Sequence, residues 1–137
     1  MPIMLFGWTA PALRAGAQTQ VRYAWSTQTA SRFKAGAVVS AYDRPPRAGG
    51  KQIAKLRLLA DPSYVPLSTM TERDYEECGW QWLYEHPEAV RESRFGGRVT
   101  QDDFSLEAFE RWRSRPFSTW LVRFEILSVE KQMPLAA

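Results

Sequence analysis

The chain has few of the residues that cross-link small proteins or bind metals. Its 137 residues include one cysteine, Cys78, and one histidine, His86. A single cysteine excludes an intrachain disulfide, and the two residues together cannot supply the three or four clustered nitrogen and sulfur ligands that zinc requires. We therefore predict no metal and no cofactor, although an all-carboxylate metal site stays open.

Long hydrophobic runs are also absent from the sequence. No apolar stretch approaches the roughly 20 residues that cross a bilayer, and residues 1–6 lack the basic region and the longer apolar stretch of a signal peptide. The sequence therefore predicts a cytoplasmic protein without a membrane partner. Its length and its composition, 45% hydrophobic and 24% charged, are typical of one globular domain, which we expect to span residues 1–137.

Positive and negative charges nearly balance each other, and the common nucleotide-binding motifs are missing. The net charge is +3, which favours an anionic partner without establishing one. The sequence contains no P-loop, no dinucleotide-binding glycine pattern and no Gly-x-Ser-x-Gly elbow. What it has in quantity is tryptophan, with six residues that can fill a core or line a pocket.

Short strands and helices alternate along the chain and predict an α+β fold. We expect a small, partly open mixed β-barrel with helices packed around one cleft, because Gly16 and Gly36 stand where a helix should end and a strand begin. The predicted strands are 3–6, 18–23, 38–42, 53–59 and 119–129, and the predicted helices are 9–15, 26–34, 71–78, 80–84 and one opened by a capping box at 100–103. Residues 93–98 are predicted to form a mobile loop, and residues 133–137 to fray.

Alternation within these segments predicts their buried faces. Strand 53–59 should turn one set of residues inward and another outward. The inward set is Ala54, Leu56 and Leu58, and the outward set is Ile53, Lys55, Arg57 and Leu59. Strand 18–23 should be exposed on the side of Arg22, and the acidic residues of 72–77 should form a solvated helix face.

A basic and aromatic cluster predicts a binding cleft. Cationic groups can hold phosphates while an aromatic ring stacks on a base, as in proteins that bind single-stranded RNA or nucleotides. The predicted nucleic-acid-binding residues are Arg22, Tyr23 and Trp25 on or beside strand 18–23, Lys34, and Arg44, Arg47 and Lys51 on a Pro/Gly loop. In the alternative reading, Trp25 packs against the following helix and the loop cations are only solvated. Asp43 is expected to cap that loop.

Other candidate residues are expected to be structural. We predict Cys78 to be a buried, inert thiol and His86 to end a helix before Pro87. Trp112 and Trp120 are predicted core residues. Trp80 and Trp82 lie two residues apart on a helix and cannot share a face, so one of them can reach the cleft.

The order of these elements resembles an ASCH domain of the PUA-like superfamily over nearly the whole chain. The resemblance rests on Ala15-Gly16 and the strand after it, on Phe33-Lys34-x-Gly36-x-Val38, on Leu67-Ser-Thr-Met-Thr-Glu-Arg-Asp74, and on the aromatic-rich final strand. It implies a β-barrel with a cleft between barrel and helices, and binding of RNA or nucleotides. It also implies an enzymatic option, because some ASCH proteins remove the acetyl group from acetylcytidine.

The family signature is largely replaced in this chain. Laid on Gly16, the pattern Gly-x-Lys-x-x-Thr-x-Arg puts Gln18 at the lysine, Val21 at the threonine and Tyr23 at the arginine, and the family's carboxylate falls at Cys78. That amidohydrolysis relies on a lysine to activate a hydroxyl nucleophile and on a carboxylate for proton transfer. Acetylcytidine hydrolysis is therefore not expected.

Three functions stay open at this stage. The first is a non-catalytic RNA or nucleotide binding module, which the basic aromatic cluster favours. The second is a small hydrolase that acts on a modified nucleoside or on RNA, with Lys34 or an acid of residues 72–77. The third is a protein-interaction domain with an exposed tryptophan patch.

Overall fold

The computed structural model of the chain describes residues 2–92 and 99–130. Over these ranges the strands are β1 (Ile3–Leu5), β2 (Gln20–Tyr23), β3 (Val38–Tyr42), β4 (Gln52–Leu58), β5 (Ser63–Pro66) and β6 (Ser118–Val129). The helices are α1 (Ala10–Arg14), α2 (Thr27–Ala30), α3 (Glu72–Glu77), α4 (Trp80–Glu85), α5 (Pro87–Glu92) and α6 (Leu106–Arg113). No helix in this part of the chain is long and apolar enough to cross a membrane.

The strands form a curled mixed sheet in the order β1-β3-β4-β6-β2, with β5 also paired to β6. β1 runs parallel to β3, and the other pairs are antiparallel. The long strand β6 pairs with β4 along its second half and with β2 and β5 along its first half. Between β1 and β2, the two ends of the order, the Tyr23 hydroxyl donates a hydrogen bond to the Leu5 carbonyl oxygen at 2.6 Å. The predicted α+β, partly open barrel is confirmed.

The inward faces of the central strands form the main core. In β6, Val122 and Phe124 are buried while Arg123 and Glu125 are exposed, as alternation predicts. The Phe124 ring meets the Phe6 ring edge-on, with centroids 5.6 Å apart. The helices contribute to two further apolar clusters, one that contains Leu83 and Phe104 and one that contains Tyr75 and Phe109. Trp80 packs against both clusters.

One predicted face in β4 is wrong. Ile53 was expected on the outward side with Lys55 and Arg57, yet it is fully buried, as is its neighbour Ala54. The β3–β4 register shifts between Ala41 and Tyr42, and the β4–β6 register shifts between Lys55 and Leu56. Because such irregularities break strict alternation, two consecutive residues can face the core.

The helix predicted at 26–34 is shorter than expected. α2 begins after Ser26, whose hydroxyl accepts a hydrogen bond from the Thr29 amide, and it ends at Ala30. The chain then turns through Arg32 and Phe33 with bonds to carbonyls three residues back. This turn buries Phe33 against Trp25, a tertiary contact that replaces the last helical turn.

The capping box at Thr100 and Asp103 is present, but it opens the 3-10 turn Gln101–Phe104 and not the helix. α6 begins after Ser105, whose own side chain accepts from the Ala108 amide. β5 and α5 were not predicted. The expectations for residues 93–98 and 133–137 fall on positions outside the described residues.

Gly79 joins α3 to α4 in a left-handed conformation, with φ of +84°. A Cβ at this position would lie 2.8 Å from the Cβ of Ala12 and 3.4 Å from that of Gln18. Gly16 has a similar φ of +75°, but an added Cβ would have no neighbour within 4 Å. Alanine substitutions at the two glycines therefore distinguish the cost of backbone strain, which both share, from the cost of crowding, which arises only at Gly79.

We predict that Gly79→Ala destabilises the protein more than Gly16→Ala. Both variants force alanine into the left-handed region, which costs about 1–2 kcal/mol, and Gly79→Ala adds an overpacking cost of about 1–3 kcal/mol. Urea denaturation of both variants measures the difference. Equal losses of stability in the two variants would contradict the prediction, because they would show that α1 can move away from the α3–α4 junction without cost.

Candidate ligand pocket

A pocket of about 710 Å³ opens at the free edge of β2. β1 with the turn after it, β2, the α3–α4 junction and α6 provide its lining. The lining includes the aromatic rings of Trp8, Tyr23, Trp80 and Trp112, and the guanidinium groups of Arg22, Arg111 and Arg115. The polar floor of the pocket consists of the lining residues Gln18 and Arg22 and of the buried Gln20 between them, to which both are hydrogen-bonded.

Gln20 is the centre of the polar floor. Its side chain is fully buried, and its amide nitrogen donates to Asp74 Oδ1 at 2.7 Å and to Glu77 Oε1 at 2.9 Å. Because the Gln20 amide nitrogen donates both of these bonds, the other amide atom is the oxygen, which can only accept. That oxygen accepts from Arg22 Nε at 3.1 Å and from Cys78 Sγ at 3.5 Å.

Asp74 is held as a carboxylate. Burial alone would raise its pKa, but hydrogen bonds from the Thr71 amide at 2.7 Å and from Gln20, together with the charge of Arg22, lower the pKa below its usual value. Thr71 and Asp74 form the capping box that begins α3. One carboxylate therefore starts the helix and anchors it to β2.

Arg22 carries a buried charge with an incomplete set of partners. Its side chain is 4% exposed, and its Nη2 lies 3.8 Å from Asp74 Oδ1. Burial lowers the pKa of Arg22, and the nearby Asp74 opposes that shift, but an arginine of this kind stays protonated. Among the described residues, none bonds to Arg22 Nη1, which is itself buried.

Gln18 leaves an acceptor unsatisfied in the same pocket. Its Nε2 donates to the backbone oxygen of Gln20 at 3.0 Å, so Oε1 is the atom left over. That oxygen is buried and has no hydrogen-bond partner within the described ranges. A buried polar atom without a partner costs about 1–3 kcal/mol, more when it is charged.

The aromatic walls differ in how much ring surface they offer. Tyr23 stacks on Trp25 at 4.3 Å, and Trp25 stacks on Phe33 at 4.5 Å, both nearly parallel. Both faces of Trp25 are thus covered, whereas Tyr23 lines the pocket. Trp80 and Trp112, which also line the pocket, stack at 5.1 Å with an interplanar angle of 8°.

Of the seven predicted binding residues, Arg22 and Tyr23 line the pocket. Trp25 lies behind Tyr23 in the stack, in accord with the alternative that it packs against the segment after β2. The remaining four are Lys34, Arg47 and Lys51, which are exposed, and Arg44, which is half-buried.

The Pro/Gly loop nevertheless begins beside the pocket. The Gly7 amide in the pocket lining donates to the Asp43 carbonyl oxygen at 3.0 Å. The Asp43 side chain accepts from the Lys51 amide at 2.9 Å and so closes the loop, as predicted. Arg44 and Arg47 therefore lie on a loop tied to one wall of the pocket.

Sequence reasoning missed the polar floor. The acidic residues of 72–77 were expected to be solvated, but Asp74 is buried and Glu77 is half-buried against Gln20. The side of β2 that was expected to be exposed is covered by α3. The spacing of Thr71 and Asp74 is a capping-box signal that would have placed Asp74 at the start of a helix, though not its contact with β2.

The remaining single residues take structural positions. Cys78 is buried as predicted, and burial raises its pKa to about 12. His86 ends α4, with its ring stacked on Trp82 at 4.0 Å, so Trp80 is the tryptophan that reaches the pocket. Trp112 was predicted to be core, but it is half-buried and lines the pocket.

Trp120 was also predicted to be core. It is half-buried in the structure, with its ring N–H donating to the Trp25 carbonyl oxygen at 3.0 Å. Across residues 2–92 and 99–130, no three histidine, cysteine or acidic side chains come together as metal ligands.

Comparison with known proteins supports the fold. The chain matches no family model and no curated protein sequence. Among solved structures, it resembles the crystal structure of protein EF3133 from Enterococcus faecalis V583, assigned to family DUF984, with a TM-score of 0.55 and 13% identity. The match covers 99% of this chain and 86% of that chain. At this identity the likeness concerns the fold alone.

We predict that Asp74→Asn costs about 1.5–3 kcal/mol of stability near neutral pH, the range for hydrogen bonds to a charged group. The pKa of Asp74 is lowered in the folded protein, so its contribution is present above the unfolded value of about 3.9 and is lost as the pH falls through the folded value. The difference from the parent should shrink below about pH 4. Thermal unfolding across pH measures it.

The exposed residue Glu76 on the same helix provides the control for this measurement. Glu76→Gln should leave the melting temperature nearly unchanged, since surface substitutions usually cost less than about 0.5 kcal/mol. A loss in Asp74→Asn that stays constant down to strongly acid pH would contradict the ionised role of Asp74.

Proposed function

We propose that the chain is an RNA or nucleotide binding module whose pocket takes a single nucleotide unit. The observation that carries this proposal is the arrangement of cations and rings at two depths of one pocket. Arg22 lies buried at the floor, while Arg111 and Arg115 are exposed at the mouth. The rings of Tyr23 and Trp80 lie along the walls.

This arrangement matches the chemistry of a nucleotide. A base stacks on aromatic side chains, and stacking of this kind contributes about 1–3 kcal/mol per base. A phosphate is bound by guanidinium groups through two parallel hydrogen bonds. A base at the walls and a phosphate at the mouth would use both parts of the pocket.

The resemblance to ASCH domains supports the same pocket. The positions of the family's lysine, threonine and carboxylate are Gln18, Val21 and Cys78 here, and all three line the pocket. The half-barrel fold and the EF3133 likeness are compatible with such a domain. The residues that depart from the signature therefore cluster at one site.

The same residues favour binding without catalysis. Burial raises the pKa of Cys78 to about 12, so at neutral pH its side chain is a thiol and a weak nucleophile. Asp74 and Glu77 are hydrogen-bonded to Gln20, and Lys34 is exposed outside the pocket lining. The carboxylate in the lining, Asp103, accepts hydrogen bonds from the Thr100 amide and hydroxyl and caps the 3-10 turn.

The loop cations extend the proposal from a nucleotide to RNA. Arg44, Arg47 and Lys51 follow the wall formed by Gly7, and we propose that they contact phosphates adjacent to the bound unit. Each such contact on a single strand contributes a slope of about 0.7 to the decline of log affinity with log salt concentration. Removing Arg47 should lower that slope by about 0.7 for an RNA oligomer.

We predict that the double variant Arg111→Met, Arg115→Met binds nucleoside monophosphates about tenfold more weakly, since one lost charge-assisted hydrogen bond costs at least about 1.5 kcal/mol. Binding of the matching nucleosides should be unchanged, because they lack the phosphate. Calorimetric titration of all four bases in both forms measures this.

Arg47→Met is the matched control, since Arg47 is exposed and lies on the loop. It should leave the affinity for mononucleotides unchanged. The proposal fails if the parent binds no nucleoside, nucleotide or short single-stranded RNA above the level given by any basic protein of this charge.

We also predict that the purified protein does not release acetate from acetylcytidine. Gln18 and Val21 stand where the family has lysine and threonine, and they cannot generate an activated hydroxyl. Chromatographic detection of cytidine over long incubation tests this. Turnover that disappears in Cys78→Ala would refute the prediction and favour the hydrolase alternative.

A further inference from the structure

We infer that Arg22 and Gln18 together read the hydrogen-bonding edge of the bound base, and that Arg22 does not hold its phosphate. This inference rests on the proposed function and goes further, since it assigns the base to the floor of the pocket. It depends on the two atoms in the lining residues that have no partner in the described structure, Arg22 Nη1 and Gln18 Oε1.

The polarity of these two atoms is fixed by their neighbours. The Gln20 amide nitrogen donates to two carboxylates, so its oxygen must accept, and Arg22 Nε occupies it. The Gln18 amide N–H donates to the Gln20 carbonyl oxygen, so the Gln18 amide oxygen is left as an acceptor. Two lining residues held by Gln20 therefore carry one charged donor and one neutral acceptor that lack partners among the described residues.

An unsatisfied donor together with an unsatisfied acceptor fits a neutral heterocycle better than an anion. Every nucleobase has a ring acceptor or carbonyl next to an N–H on its pairing edge, which can satisfy both atoms at once. The oxygens of a phosphodiester or of a nucleotide's phosphomonoester dianion only accept, and they would meet the unsatisfied oxygen of Gln18. Asp74 lies 3.8 Å from Arg22 and already offsets part of its charge.

The aromatic walls are consistent with the same orientation. Tyr23, whose ring stacks on Trp25, lines the pocket, as do the stacked rings of Trp80 and Trp112. A base whose edge reaches the floor would have its plane along these walls and its sugar toward the mouth. Arg111 and Arg115 would then meet the phosphate, as proposed above.

The experiment compares each nucleoside with an analogue that lacks the edge donor. Adenosine is paired with purine riboside, cytidine with pyrimidin-2-one riboside, uridine with 3-methyluridine, and guanosine with 1-methylguanosine. For the base that the parent protein binds most tightly, we expect the analogue to bind at least about tenfold more weakly, because Gln18 Oε1 is again left without a partner.

Gln18→Met removes the acceptor and keeps the length of the side chain beside Gly79. In this variant we expect the preference for the parent nucleoside over its analogue to disappear. Gln28→Met, at an exposed position on α2, is the matched control and should keep the full preference. The comparison of ligands in the parent protein decides the question even if Gln18→Met does not fold.

Titration with inorganic phosphate separates this inference from the proposed function. We expect phosphate not to displace a bound nucleoside. If phosphate displaces a bound nucleoside, or if nucleotides bind and nucleosides do not, the floor does not read a base and the inference is overturned while the proposed function stands. Equal affinity for nucleoside and analogue also overturns it. If no nucleoside, nucleotide or RNA binds, both are wrong.

Discussion

The structure depends on the hydrogen bonds from Gln20 to Asp74 and Glu77, which join two segments 54 or more residues apart in the chain. They bring α3 onto the outer face of β2, and the Thr19 amide adds a backbone bond to the Glu77 carbonyl oxygen at 2.9 Å. Asp74 also caps the N-terminus of α3. The same carboxylate therefore begins the helix and attaches it to β2. The positions of Cys78 and Trp80, the next turn of the chain, follow from this contact.

The curled sheet explains why the pocket lies where it does. β6 is long enough to pair with β4 at one end and with β2 at the other, so the sheet bends around its own core and leaves β1 and β2 as facing edges. The hydroxyl of Tyr23 bridges those edges at one point. The rest of the gap is lined by helices that carry the aromatic walls. A sheet closed by continuous pairing would have no such opening.

Local patterns predicted the fold well and the site only in part. Alternation in β6 and the glycine at 16 are properties of neighbouring residues, so the sequence shows them directly. The burial of Ile53 depends on register shifts in two strand pairs, and the burial of Arg22 depends on a helix that comes 50 residues later. No local pattern contains those contacts. Arg22 and Tyr23 were predicted from their chemistry and Gln18 was placed by the signature alignment, whereas Gln20 and Asp74 required the topology.

The polar floor lowers the free energy of unfolding relative to a well-packed apolar floor in the same position. Replacing a buried charge and its partners by well-packed hydrophobic residues is often neutral or stabilising, and here Arg22 Nη1 and Gln18 Oε1 lack partners among the described residues. A β2–α3 contact needed only for folding would not require arginine at position 22. In native structures nearly all buried polar groups have partners, so these two atoms call for an explanation. Under the proposed function, Gln20 fixes both side chains before a nucleotide binds, so the ordering cost of binding would be low, and the base would supply the partners that Arg22 Nη1 and Gln18 Oε1 lack among the described residues.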